Sequence, residues 1–301
     1  MLNVLGITWV RWDMNWVTVQ PNNATSYNWQ GPDRVVAAAL KYGINSLAII
    51  TYTPVWARSS ACVGSDKCAP KDPAQFAAFA AQVAARYKAQ GLHYWEIWNE
   101  PNTAGFWAVK ADCNAYTALL KASYSAIKQT DSSATVITGG TAPAATDGTN
   151  VSPVDFLACI YKNGGKDYFD AVADHPYTFP QFPSAPVPHA WAQMSTTPTN
   201  LRSLMIANGD SGKKIWMTEF GAPTNGPDPR WYVSESKQAQ MITDAFQLYK
   251  TYSWAGPIFL YSLKDSGTSA NTSENFFGLL RYDGSHKPAY DTLKSVISPG
   301  I

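Results

Sequence analysis

The chain has 301 residues, 46% of them apolar and 15% charged, with 23 basic and 22 acidic side chains. That is apolar content enough for one large core, and a net charge of +1 without a basic stripe excludes a nucleic-acid binder. No apolar run reaches the ~18 residues of a membrane span and Met1 opens no signal peptide, so a soluble chain away from any membrane is expected.

Strand patterns are expected over 7–11, 45–51, 92–98, 135–139, 169–174, 214–218 and 257–262, with helices between them. The clearest helices cover 73–90, 114–129, 154–163 and 234–251. In the first of these, Phe76, Phe79, Ala80, Val83 and Tyr87 recur at the spacing of one buried face, with Asp72 placed to cap it. Alternating strands and helices imply a parallel sheet closed into a barrel, with 1–301 as a single domain. The Pro/Gly-rich stretches 141–153 and 178–198 are expected to be long loops walling a cleft.

Two of only five glutamates end apolar, aromatic runs: Glu100 in Tyr94-Trp95-Glu96-Ile97-Trp98-Asn99-Glu100-Pro101-Asn102, and Glu219 in Lys214-Ile215-Trp216-Met217-Thr218-Glu219-Phe220-Gly221. Glutamates at strand ends are commonly solvated loop residues. These two are 119 positions apart, room for three βα units of roughly 30 to 40 residues each, so on an eight-stranded barrel their strands face one another across the lumen. Two facing carboxylates are the chemistry of glycoside hydrolysis. A surface short of charge and rich in aromatics, at 13% with 12 tryptophans, suits a polysaccharide or oligosaccharide better than a polyanion.

The two strings resemble the acid/base and nucleophile strands of clan A glycoside hydrolases. Further motifs follow in the clan's order: Trp9-Val10-Arg11-Trp12-Asp13 with Trp16, Thr51-Tyr52-Thr53-Pro54-Val55-Trp56-Ala57, Gly139-Gly140-Thr141, His175-Pro176-Tyr177 and Lys287-Pro288-Ala289-Tyr290. The combination is most similar to glycoside hydrolase family 39, in its bacterial exopolysaccharide-degrading endoglycosidase branch, with family 5 next. The resemblance implies a (β/α)8 TIM barrel that lacks its first strand in this chain, because Met1–Gly6 resembles the end of the family's first helix. A strand from elsewhere, such as Asn275–Arg281 or another copy, would then fill the gap beside the last strand, or the gap would stay open and invite association. A monomer, or copies associated through that seam, is expected.

The same resemblance makes Glu100 the acid/base and Glu219 the nucleophile of a retaining endo-glycosidase. An exo-acting xylosidase or iduronidase and a non-catalytic carbohydrate-binding protein are the alternatives. Arg11, at the end of its strand, would keep Glu219 ionised, since a cation beside a carboxylate lowers its pKa by ~1 to 3 units. Glu96, on the same strand face as Glu100 but deeper, is expected to be a buried partner for Arg11 or another polar group, not a third catalyst. Asn99 would bind the sugar 2-hydroxyl, though an Asx cap of the following turn is its other reading. Tyr177 would hold the nucleophile and His175 line the pocket. Trp56, Trp107, Trp16, Phe179 and Trp231 could stack on sugar faces. Tyr261 stands in the last-strand string Ile258-Phe259-Leu260-Tyr261-Ser262, where many clan members place a tryptophan under the reactive sugar. No cofactor and no metal are called for.

Four cysteines remain. Cys62 and Cys68 bracket a short turn-rich loop with no histidine at metal-ligand spacing, which favours a local disulfide over zinc. Cys113 and Cys159 could bridge two neighbouring helices, and four free buried thiols are the other reading. Bridges would mean an oxidising, secreted setting, with a signal outside this sequence.

Overall fold

The computed structural model describes residues 5–60, 62 and 64–297. Seven strands, β1 (Trp9–Asn15), β2 (Asn45–Thr51), β3 (Tyr94–Asn99), β4 (Thr135–Gly140), β5 (Ala171–Asp174), β6 (Lys214–Phe220) and β7 (Ala255–Leu260), form one parallel sheet in sequence order. Their near-continuous apolar runs follow from burial on both faces, the condition of a parallel sheet covered by helices. Ser46–Thr51 of β2 and Trp95–Asn99 of β3 are all buried.

The helices form the outer layer, and their starts are written in the sequence. Asp72 accepts a hydrogen bond from the Ala74 amide at 2.8 Å, Pro73 takes the first turn, and the helix Pro73–Tyr87 buries Phe76, Phe79, Ala80, Val83 and Tyr87 as the spacing requires. Burying each phenylalanine contributes about 1.5–3 kcal/mol. Ser152 and Ser234 cap the helices Pro153–Lys162 and Glu235–Tyr249 in the same way. Disulfides join Cys62 to Cys68 and Cys113 to Cys159, the second tying the helix Cys113–Thr130 to its neighbour Pro153–Lys162. No described helix is long and apolar enough to cross a membrane.

Among the described residues, β1 pairs with β2 alone and β7 with β6 alone. Most of their residues are only partly buried, unlike those of the central strands. Between them lies an open groove of about 800 Å³ lined by Ile7, Trp9, Val10, Ile258, Leu260 and Leu293 among others. The architecture is that of a (β/α)8 barrel lacking one strand, with the open seam at the expected place. Asn275–Arg281 does not fill it. Ser273–Phe276 forms a 3-10 turn and Leu280 bridges Lys264 and His286 instead.

One other expectation is corrected. β1 continues through Asn15, in register with β2 up to Thr51, so Arg11 lies in the middle of its strand rather than at its end. Lys287 is 1% exposed, and its ammonium donates to Asp265 Oδ1 at 2.8 Å, Thr224 Oγ1 at 2.9 Å and the Phe276 carbonyl at 3.0 Å. The motif around it therefore anchors the loop that follows β7. That loop supplies one wall of the cleft described next.

Candidate active site

The C-terminal ends of the strands converge on a cleft of about 690 Å³. Arg11, Asp13, Asn99, Glu100, Tyr177, Glu219, Tyr261 and Glu274 all line it, together with the aromatic side chains of Tyr52, Phe106, Phe179 and Trp231. Glu100 stands on the first turn after β3 with φ +47°, and Trp98 two residues earlier has φ +72°. Left-handed backbone is costly for a non-glycine residue and rarer still for a bulky one. The strain turns the chain sharply at the strand end and aims the carboxylate into the lumen.

Arg11 is the hub. Its Nη1 donates to Glu219 Oε1 at 2.5 Å, its Nε and Nη2 bind Glu96 at 2.7 and 3.0 Å, and Nη2 also donates to Asn99 Oδ1 at 2.8 Å. Glu96 is thus the buried partner expected, held further by the Gly140 amide at 2.8 Å. Tyr177 Oη donates to Glu219 Oε2 at 2.7 Å. Burial alone would raise the pKa of Glu219, but His175 and Arg11 beside it, with the hydrogen bonds from Tyr177 and Arg11, hold it below the ordinary carboxylate range.

His175 is fully buried and does not line the cleft, contrary to expectation. Its Nδ1 lies 2.9 Å from Glu100 Oε1 and 3.6 Å from Glu219 Oε2, while Nε2 faces Arg11 Nη2 at 3.3 Å. A guanidinium can only donate, but both hydrogens of Nη2 already go to Glu96 and Asn99, so that contact fixes no tautomer. Nδ1 faces a carboxylate and carries a proton, so His175 donates to Oε1 of Glu100 and leaves Oε2 without a partner among the described residues. Glu100, His175 and Glu219 each present one donor atom within 4.8 Å of the others, close enough in principle to hold a cation. Arg11 and Tyr177 already engage both oxygens of Glu219, an arrangement suited to handling protons.

The tryptophans divide. Trp231 is 55% exposed on the cleft wall and Phe179 lies beside it. Trp16 and Trp107 are buried at 0% and 3% and so cannot stack on a sugar. Trp107 is wedged between Trp98 and Tyr116, with ring centroids at 5.1 and 5.9 Å. Trp56 packs edge-on against Trp16 at 5.4 Å, donates to the Gln20 carbonyl at 2.8 Å, and is not part of the cleft lining. Tyr261 lines the cleft and donates to Glu274 at 3.1 Å.

The model of the family described as cellulase (glycosyl hydrolase family 5) matches residues 1–256. The chain belongs to this family. Within clan A its fold is also that of solved family 39 structures. A family 39 glycoside hydrolase from Bacteroides cellulosilyticus is 24% identical with a TM-score of 0.79, over 99% of this chain and 59% of that one. A monomeric β-xylosidase from Caulobacter crescentus is 21% identical with a TM-score of 0.73, over 99% and 63%. The chain thus spans under two thirds of either structure. Fungal β-1,4-galactanases are 17% identical with a TM-score of 0.67, over 97% of this chain and 89% of theirs. No curated protein matches the chain.

Three residues in or behind the cleft, Asp13, Glu274 and Gly140, are given no role by the sequence. Asp13 follows Arg11 by two positions on a strand and so shares its face, a signal open to sequence reasoning. Glu274 could have been singled out by the scarcity of glutamate. Gly140 was legible only as part of a motif, and the structure supplies its reason: a Cβ there would stand 2.2 Å from His175 Nε2 and 2.5 Å from Thr218 Oγ1. Gly140→Ala is expected to push the imidazole off Glu100 and lower kcat by about 100-fold, the scale of a 1 Å misplacement. Steady-state kinetics on a chromogenic glycoside, with the melting temperature as control for folding, checks it.

Asp174, next to His175, is 2% exposed and accepts from Thr141 Oγ1 at 2.6 Å. Burial pushes its pKa up to about 7, against the Thr141 bond and the nearby His175. A carboxyl raised in the folded state binds more protons folded than unfolded, so its contribution is present below about pH 4 and lost as pH rises to about 7. Asp174→Asn should flatten that fall in melting temperature by several degrees across the interval. An unchanged pH profile would place the proton elsewhere.

Proposed function

We propose that the chain is a retaining endo-glycosidase acting on an extracellular polysaccharide, with Glu219 as nucleophile and Glu100 as acid/base. The observation that carries this reading is the spacing of the pair. A carboxylate oxygen of Glu100 lies within 4.8 Å of one of Glu219. Retaining pairs stand ~5 to 5.5 Å apart, whereas inverting pairs need ~6.5 to 9.5 Å to admit water. Glu219, kept ionised by Arg11 and Tyr177, attacks the anomeric carbon while Glu100 Oε2 protonates the leaving oxygen. Ionised Glu100 then takes a proton from the water that releases the sugar from Glu219. Asn99, fixed by Arg11, is placed to meet the 2-hydroxyl, and Phe179 and Trp231 to cover flat sugar faces.

Two disulfides favour an oxidising, extracellular setting. A cleft of about 690 Å³ with aromatic walls gives room for more than one ring and favours endo action. The fold's likeness to a β-xylosidase supports an exo-acting enzyme as the second reading. Defined oligosaccharides, with product lengths read by mass spectrometry and the first-formed anomer by NMR, test all of this. Internal cleavage with a retained anomer is expected; single sugars released from one end would favour the second reading, and an inverted anomer would overturn the mechanism.

A further inference from the structure

The charges that face the cleft do not balance. Four of the chain's five glutamates lie in or under it, and Asp13 adds a fifth carboxylate. The cations there are already committed. Arg11 is bound to Glu96 and Glu219, His175 donates to Glu100, and Lys67 pairs with Asp66 at 3.0 Å while lying 3.7 Å over the Tyr52 ring. Asp13 and Glu274 are left over. The Asp13 carboxylate receives no hydrogen bond or ion pair from any described side chain, and the Glu274 carboxylate receives only the Tyr261 phenol at 3.1 Å. Both side chains are accessible from the cleft.

From this geometry we infer that the cleft selects a glycan bearing free, protonated amino groups, with Asp13 and Glu274 as the residues that read them; the inference rests on the glycosidase reading above. Asp13 shares the inward face of β1 with Arg11 and stands one layer nearer the mouth. Glu274 comes from the far side of the open groove, on the loop after β7 that Lys287 fixes through the Phe276 carbonyl. The two carboxylates thus come from the two elements that border the open groove, and both line the cleft that holds Glu100 and Glu219.

An uncharged sugar settling on them would replace water with hydroxyl donors but return no charge, so two partly desolvated carboxylates would stay unpaired. A uronate or sulfated sugar would meet like charge. An ammonium group offers three donors and a charge-assisted bond to each carboxylate it reaches, and the faces of Phe179 and Trp231 attract a cation as well. Both carboxyls are already held above their ordinary range, by burial and by neighbours that include Glu219. A bound cation would relieve that repulsion. The negative cleft contrasts with a chain of net charge +1, so the sign belongs to the site and not to the composition.

The test uses the full chain near pH 6, where such amines carry their proton. The substrates are β-linked glucosamine and galactosamine polymers, their fully N-acetylated forms, neutral glucan and xylan, a polyuronate and uncharged aryl glycosides. Expected is a kcat/KM on an amino polymer at least about tenfold above its N-acetylated form, a ratio that shrinks in about 0.5 M salt as screening requires. In Asp13→Asn and in Asp13→Asn/Glu274→Gln the ratio should approach one. Because it is a ratio within one preparation, loss of folded protein does not alter it, and the salt series needs no variant.

Preferential cleavage of neutral or acidic glycans, or a ratio unchanged by the substitutions, overturns the inference and leaves a glycosidase. No product from any polymer or aryl glycoside overturns the glycosidase reading and the inference with it.

Discussion

Glu219→Ala is expected to lower turnover by at least about 10⁴-fold, as removal of a covalent nucleophile does elsewhere. Added azide should restore part of the activity by entering the space the carboxylate leaves, and the glycosyl azide should have inverted configuration because only one displacement occurs. In Glu100→Ala the nucleophile is intact, so azide should instead attack the glycosyl-enzyme and give a product of retained configuration. The contrast depends on placement. Glu219 Oε2 is held by Tyr177 and Oε1 by Arg11, whereas Glu100 is touched by His175 through one oxygen only. NMR of the azide adducts reads the outcome, and exchanged configurations would exchange the two roles.

Arg11→Met should have the largest effect on stability. It strips the guanidinium from Glu96, which is fully buried, and from Glu219, and breaking a buried ion pair on one side costs about 3–5 kcal/mol. Activity should fall too, since Glu219 loses the cation that keeps it ionised and Asn99 loses the donor that orients it. Adding Glu96→Gln to Arg11→Met removes the stranded charge and should recover part of the stability without recovering activity. Urea unfolding and kinetics on the same preparations check both halves. Equal losses in the single and double variants would show that Arg11 acts by packing its stem rather than by charge.

The parts of this architecture that depend on local periodicity were legible in the sequence. The helix Pro73–Tyr87 buries the five residues its spacing names, and its capping aspartate sits one residue before it. The convergence of Glu100 and Glu219 was legible for a different reason: a barrel fixes how far apart in sequence two facing strand ends must be. Aromatic residues were the weak point. Trp16, Trp107 and Trp231 all follow strand ends, yet two fill the space between sheet and helices and one faces water, and nothing in their neighbours along the chain separates the cases. His175 was placed in the right cluster but on the wrong side of it, because its burial depends on Gly140, a residue of another strand, leaving room for the ring. Glu274 reaches the cleft only because a loop folds back onto Lys287, a contact no local pattern encodes.

The arginine that organises the site belongs to β1, one of the two strands that border the open groove. Outer strands exchange their amide hydrogens and detach more readily than inner ones, because fewer bonds hold them. The proposed nucleophile, Glu219, is therefore latched from the part of the sheet most prone to loosen. On gentle heating or in low denaturant, catalytic competence should fade while the helices and the strands β2–β6 still give a native spectrum, and whatever seats itself in the groove beside β1 would act as a thermostat for activity rather than for folding.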